Sequence, residues 1–116
     1  LEKGIAAAKS QNKPLFVDFT GYTCINCRDM EFNVFPQPEV RKELENFVRV
    51  RLYTDGGPDG DKNQGYQDKT FKTVALPLYA VLTPDGNPID SIPYTPDATK
   101  FAQFLRQTRE RHTAQR

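Results

Sequence analysis

The sequence predicts an α/β domain with a central mixed sheet of about four strands flanked by helices, and three observations carry that prediction. Apolar runs at 15–20 and 47–53 are separated by helix-favouring segments, the pattern of parallel strands joined through a right-handed helical crossover. Two more short strands, 78–83 and about 88–93, flank Pro84-Asp85-Gly86-Asn87, which carries the turn residues of an antiparallel hairpin. At 116 residues the chain is long enough to bury a core of its own, so 1–116 reads as one domain.

Residues 1–11 set Ile5 and an alanine run among Glu2, Lys3 and Lys9, a helix-favouring mix that Asn12-Lys13-Pro14 stops. Leu15, Phe16, Val17 and Phe19 make the first strand a buried one. Gly21 breaks it, Thr23 is placed to cap the next helix, and Cys24 to about Val34 reads helical with Cys27, Met30 and Val34 on one face. After Pro36 and Pro38, Glu39–Glu45 predicts a short helix with Val40 and Leu44 one turn apart, and Phe47, Val48, Val50 and Leu52 predict the second strand. Thr54–Gly65, rich in Gly, Asp and Asn, reads as a loop, and Tyr66–Thr73 as one or two helical turns. Thr95-Pro96-Asp97 opens a last helix in which Phe101, Phe104, Leu105 and Thr108 keep helical spacing. From about residue 106 the tail is basic, and Arg109, Arg111 and His112 read as a solvated, fraying helix end that suits the macrodipole.

Lys and Arg total 16 against 15 Asp and Glu, and a net charge of +1 argues against nucleic acid or an anionic membrane as the main partner. The longest apolar stretch, Val74–Leu82, is nine residues long and contains Pro77, short of the roughly 20 that span a bilayer. The chain begins at Leu1 with no basic region followed by an apolar one, as expected of a mature form or an excised domain.

The two cysteines, Cys24 and Cys27, are spaced C-x-x-C directly after the first strand. Such a pair can close a disulfide across one helical turn, and redox, metal and structural roles share the spacing. Zinc would need four ligands; with His112 the only histidine and no third cysteine, metal binding within one chain is not expected. Asp59-Gly60-Asp61-Lys62-Asn63 starts like a calcium loop but has Gln64 in place of the glycine and Thr70 in place of the closing glutamate, so it reads as polar surface. Thiol-disulfide exchange is the chemistry favoured. A helix N-terminus lowers a cysteine pKa through its partial positive charge and free N–H groups, so Cys24 is the expected nucleophile. Cys27, one turn deeper, is the expected resolving thiol. Asp18 stands in an apolar strand, where an ionised carboxylate is costly without a partner. Tyr22 and Thr23 line the approach to Cys24 or serve as turn residue and cap, and Arg28 either favours the thiolate or is a solvated helix residue.

Lys13-Pro14-Leu15-Phe16-Val17-Asp18-Phe19-Thr20-Gly21, Cys24-Ile25-Asn26-Cys27-Arg28-Asp29-Met30-Glu31 and the proline of Leu76-Pro77 together resemble the thioredoxin superfamily. Within it, they resemble the C-terminal periplasmic domain of DsbD-type bacterial transmembrane thiol-disulfide interchange proteins. The chain departs from thioredoxin proper in having no tryptophan and in Ile25-Asn26 between the cysteines. The resemblance implies a thioredoxin-like fold and a disulfide reductase that relays electrons, with Asp18 the buried acid that takes the Cys27 proton. Pro77 falls at the family's cis-proline, although sequence alone predicts a trans bond there. With Leu76 it would pair with an extended substrate segment. The implied partners are disulfide-bearing proteins and a membrane-embedded dithiol donor, in the periplasm or another extracytoplasmic space, for disulfide reduction or cytochrome c maturation. No dissociable cofactor is implied beyond the Cys24–Cys27 couple, and a monomer is expected. The competing readings are a free-standing secreted reductase or isomerase and a binding module with a structural disulfide.

Overall fold

A computed structural model describes residues 1–114. The elements run α1 (Glu2–Gln11), β1 (Leu15–Thr20), α2 (Ile25–Asp29, prolonged by a π-helical turn over Met30–Val34), α3 (Pro38–Leu44), β2 (Val48–Tyr53), α4 (Gly60–Phe71), β3 (Leu78–Leu82), β4 (Pro88–Pro93) and α5 (Ala98–Ala114). The strand order is β2-β1-β3-β4. β1 runs parallel to β2, with Leu15 opposite Val48 and Thr20 opposite Tyr53, and antiparallel to β3, with Leu15 opposite Leu82 and Phe19 opposite Leu78. The hairpin predicted at Pro84–Asn87 joins antiparallel β3 and β4, and Gly86 supplies a left-handed φ of +92° that an L side chain adopts only with strain.

β1 is the spine. All six of its residues are buried because helices cover both faces of the sheet, and its alternation divides two cores. Leu15, Val17 and Phe19 meet Leu52, Leu78, Ala80 and Leu82, with α1 contributing Ala8 and Ile5 and α4 contributing Tyr66 and Phe71. On the other face Phe16 is ringed by Phe35, Phe47, Tyr79 and Phe101 at centroid distances of 5.6–6.3 Å, and α2, α3 and α5 supply Met30, Val40, Leu44 and Leu105. Burying one such side chain contributes about 2 kcal/mol or more, so the rings make this the heavier half of the core.

The segment expected to be a loop as far as Gly65 is helical from Gly60, and α4 has three turns instead of one or two. Its polar composition misleads because few of its residues face inward. Gln67 is fully buried and donates its amide to the Ala75 carbonyl at 2.8 Å, and Asn63 donates to the Tyr53 carbonyl at 2.9 Å. The calcium-like run Asp59–Asn63 is therefore the first turn of α4. The basic tail is also helical as far as Ala114, and Gln115 and Arg116 lie outside the described residues. His112, expected at a solvated end, is buried, because it continues the stripe of Phe101, Leu105 and Thr108 toward the sheet. Arg109 and Arg111 reach back to Glu43 and Asp90 at 3.1 and 2.8 Å. Among the described residues no helix is long and apolar enough to cross a membrane.

Candidate active site

β1 delivers the chain to Gly21, and a four-residue turn feeds it into α2. Cys24 is the N-cap of α2 with extended backbone, φ −80° and ψ 107°, and its Sγ accepts the Cys27 N–H at 3.1 Å. Thr23 is thus not the cap. Its hydroxyl and N–H instead lie 3.5 Å from the Asp55 carboxylate, which also accepts the Tyr22 N–H at 2.9 Å. Cys24 and Cys27 form a disulfide with their Cα atoms 5.2 Å apart. The two sulfurs have unequal settings: Cys24 is half-buried, while Cys27 is 1% exposed. Access to the bond is through Cys24.

Arg28 is half-buried and tied down. Its guanidinium donates to Thr20 Oγ1 at 3.0 Å and to the Gly21 carbonyl at 2.8 Å and pairs with Glu31 at 3.3 Å, clamping the end of β1 to α2. Tyr22 is exposed and stacks on Tyr53, centroids 4.1 Å apart. At Gly21 a Cβ would stand 2.6 Å from Asp55 Oδ2 and 3.0 Å from Leu76 Cδ1, so the turn needs glycine for this close approach. Leu76 therefore borders the turn that carries Cys24. The Leu76–Pro77 bond is cis, as the resemblance implied and against the expectation from sequence alone. It enters β3 just before Leu78, which faces Phe19, so it meets the same end of the sheet.

Asp18 sits on the face of β1 that packs against α2, between Arg51 of β2 and Tyr79 of β3. Its carboxyl is 3.9 Å from Arg51 Nε through Oδ2, and its buried Oδ1 has no hydrogen-bond partner. Burial pushes its pKa from 3.8 up to about 6; Arg51 opposes the rise and Glu31 adds to it. A carboxyl held there takes and releases a proton near neutral pH.

A thioredoxin-like family model matches residues 1–84, which includes β1, the cysteine pair and the cis-proline. The chain belongs to the thioredoxin-like family. Across most of this domain it is 30% identical, over 113 residues or 95% of its length, to the thiol:disulfide interchange protein DsbD of Pseudomonas fluorescens. It spans 19% of that relative and 15% of the Vibrio vulnificus DsbD. Among solved structures, a thioredoxin from Thermus thermophilus superposes with a TM-score of 0.80 at 21% identity, covering 97% of this chain and 86% of the other. The reduced C-terminal domain of DsbD from Neisseria meningitidis superposes with 0.76 at 22%, covering 93% of each. The thioredoxin-like fold predicted from sequence, a mixed four-stranded sheet between helices, is the fold found.

In this DsbD-related member of the thioredoxin-like family, Tyr22, Thr23, Cys24, Cys27 and Leu76 gather around one turn, with Pro77 at the same sheet end and Asp18 behind α2. Asp55 was missed in the sequence. It lies in a Gly- and Asp-rich run that signals only a turn, and no spacing rule links it to residue 22. Among the described residues no group of three or more His, Cys, Asp or Glu could hold a metal ion.

Proposed function

We propose that the chain is a thiol-disulfide oxidoreductase domain that cycles between a Cys24–Cys27 disulfide and the dithiol. The observation that carries the proposal is the pair of unequal sulfurs at the start of α2, one reachable and one buried. In the reduced form the Cys24 thiolate attacks a substrate disulfide; a Cys24–substrate bond forms and one substrate thiolate leaves. Cys27 then gives its proton to Asp18 and attacks Cys24 Sγ, which breaks the mixed disulfide and releases the second substrate thiolate. The substrate gains two electrons and the pair is oxidised. Tyr22, Thr23, Leu76 and Pro77 form the surface on which an extended substrate segment lies. The kinship with DsbD favours a role in electron relay: a membrane-embedded dithiol recharges the pair, and disulfide-bearing proteins in the periplasm or another extracytoplasmic space are reduced. No dissociable cofactor takes part.

The test is reduction of insulin disulfides by dithiothreitol-recharged protein. Cys24→Ser is expected to abolish catalysis, and Cys27→Ala to accumulate a mixed disulfide with the substrate on Cys24. A Cys24→Ser variant that turns over at the wild-type rate would overturn the assignment. Resistance of the disulfide to mild reductant would instead identify a structural bridge.

A further inference from the structure

The turn that carries Cys24 is gripped by a carboxylate from a distant part of the chain. Asp55, in the connection between β2 and α4, holds the Tyr22 N–H at 2.9 Å and lies 3.5 Å from the N–H and hydroxyl of Thr23, the two residues that precede Cys24. The missing side chain at Gly21 opens the space for it. Among the described residues no cation forms an ion pair with Asp55. Arg28, the cation on the other side of the turn, is engaged by Thr20, Gly21 and Glu31. The other charged or titratable groups around the turn are the stacked phenols of Tyr22 and Tyr53, Arg51 beside Tyr53 and, behind α2, Asp18, to which Arg51 also reaches at 3.9 Å. The backbone N–H of Tyr22 above all holds the Asp55 carboxyl below its usual range, so it is ionised at neutral pH.

We propose that Asp55 is a positioning residue for the exchange reaction and that its unneutralised charge sets the ionisation of Cys24. The inference rests on Cys24 being the nucleophile. The start of α2 favours a thiolate, and a fixed anion beside the same turn opposes it, raising the thiol pKa. Reducing the Cys24–Cys27 bond adds two electrons from a dithiol donor; two protons follow when Cys24 is a thiol and one when it stays a thiolate. By disfavouring the thiolate, Asp55 biases the couple toward the disulfide, which makes the dithiol a stronger reductant.

The experiment is alkylation of Cys24 by iodoacetamide against pH, together with equilibration of the couple against glutathione, in folded variants of the 116-residue chain. Asp55→Asn retains an acceptor for the Tyr22 N–H and removes the charge. The alkylation midpoint should fall and the dithiol share should rise by about threefold, the scale of one surface Coulomb interaction. The difference from wild type should shrink in high salt. Asp55→Glu, which keeps the charge, should titrate like wild type. Asp55→Ala should lower the midpoint as Asn does and also lower kcat/KM for insulin reduction, because the turn loses its anchor. An Asn variant that titrates like wild type overturns the electrostatic role, and an Ala variant with the kcat/KM of Asn overturns the positioning role. The alkylation readout follows the Cys24 thiol without turnover, so it stands apart from the Cys24→Ser test.

Discussion

Replacing Asp18 by Asn should make the protein more stable and a poorer catalyst, and the size of the first effect follows from the buried carboxyl. Folding raises the Asp18 pKa from 3.8 to about 6, so the folded chain holds this proton more tightly than the unfolded chain does. The stabilisation is fully present below about pH 4 and is lost as pH rises through the folded value. The gap corresponds to about 3 kcal/mol, with burial the main cause and Arg51 only partly compensating. Relative to Asp18→Asn, which does not titrate, wild type should therefore lose about 3 kcal/mol between about pH 4 and pH 8. For a chain of 116 residues that is a melting difference of about 10 °C. Urea titrations of the oxidised forms across this range measure it, because contributions from other groups cancel in the difference. Parallel stability curves for the two proteins, or a gap that widens toward acid, would refute the reasoning. The same variant should slow insulin reduction, since the Cys27 proton loses its acceptor.

Phe16→Ala should cost about 3–5 kcal/mol in urea unfolding, because the ring touches four others in a closed core and leaves a cavity the strand cannot collapse. Gln67→Leu should cost about 0.5–1.5 kcal/mol, since the hydrogen bond to the Ala75 carbonyl is lost while water can reach that exposed residue. It should also raise the KM for protein disulfides more than it lowers kcat, because that donor steadies the approach to Leu76.

The sequence declared most of the fold where burial is two-sided or turn chemistry is strong. The uninterrupted apolar run of β1, the Pro84–Asn87 turn and the Phe101–Leu105 stripe of α5 were all legible. The length of α4 was not. Its Gly, Asp and Asn residues favour loops in isolation, and the helix is fixed by tertiary partners that pattern reading does not see, the Ala75 carbonyl for Gln67 and the aromatic cluster for Tyr66 and Phe71. His112 was misread because a charge run at a helix end suggests solvent, whereas its spacing from Leu105 continues the buried stripe. At the site, the C-x-x-C and Asp18 were visible as local anomalies, two cysteines at a helix start and a carboxylate in an apolar strand. Asp55 acts across 33 positions through backbone N–H groups, and no side-chain pattern records such a bond. Cys24 caps the helix because it begins at Ile25, one residue later than the sequence suggests, and the Thr23 hydroxyl lies 3.5 Å from the Asp55 carboxylate instead.

The complete burial of β1 has a consequence for how the protein breathes. Hydrogen bonds on both sides and cores on both faces place the amides of Phe16–Phe19 among those that exchange with solvent only when the whole domain opens. The cysteine turn follows directly on that strand, with Cys24 four residues past its end, and Tyr66 and Phe71 of α4 pack on Phe19 with ring centroids at 5.8 and 5.7 Å, so α4 is tied to the same strand. The Cys24–Cys27 pair is thereby attached to the part of the chain that opens last, and the two sulfurs keep their spacing through smaller local openings.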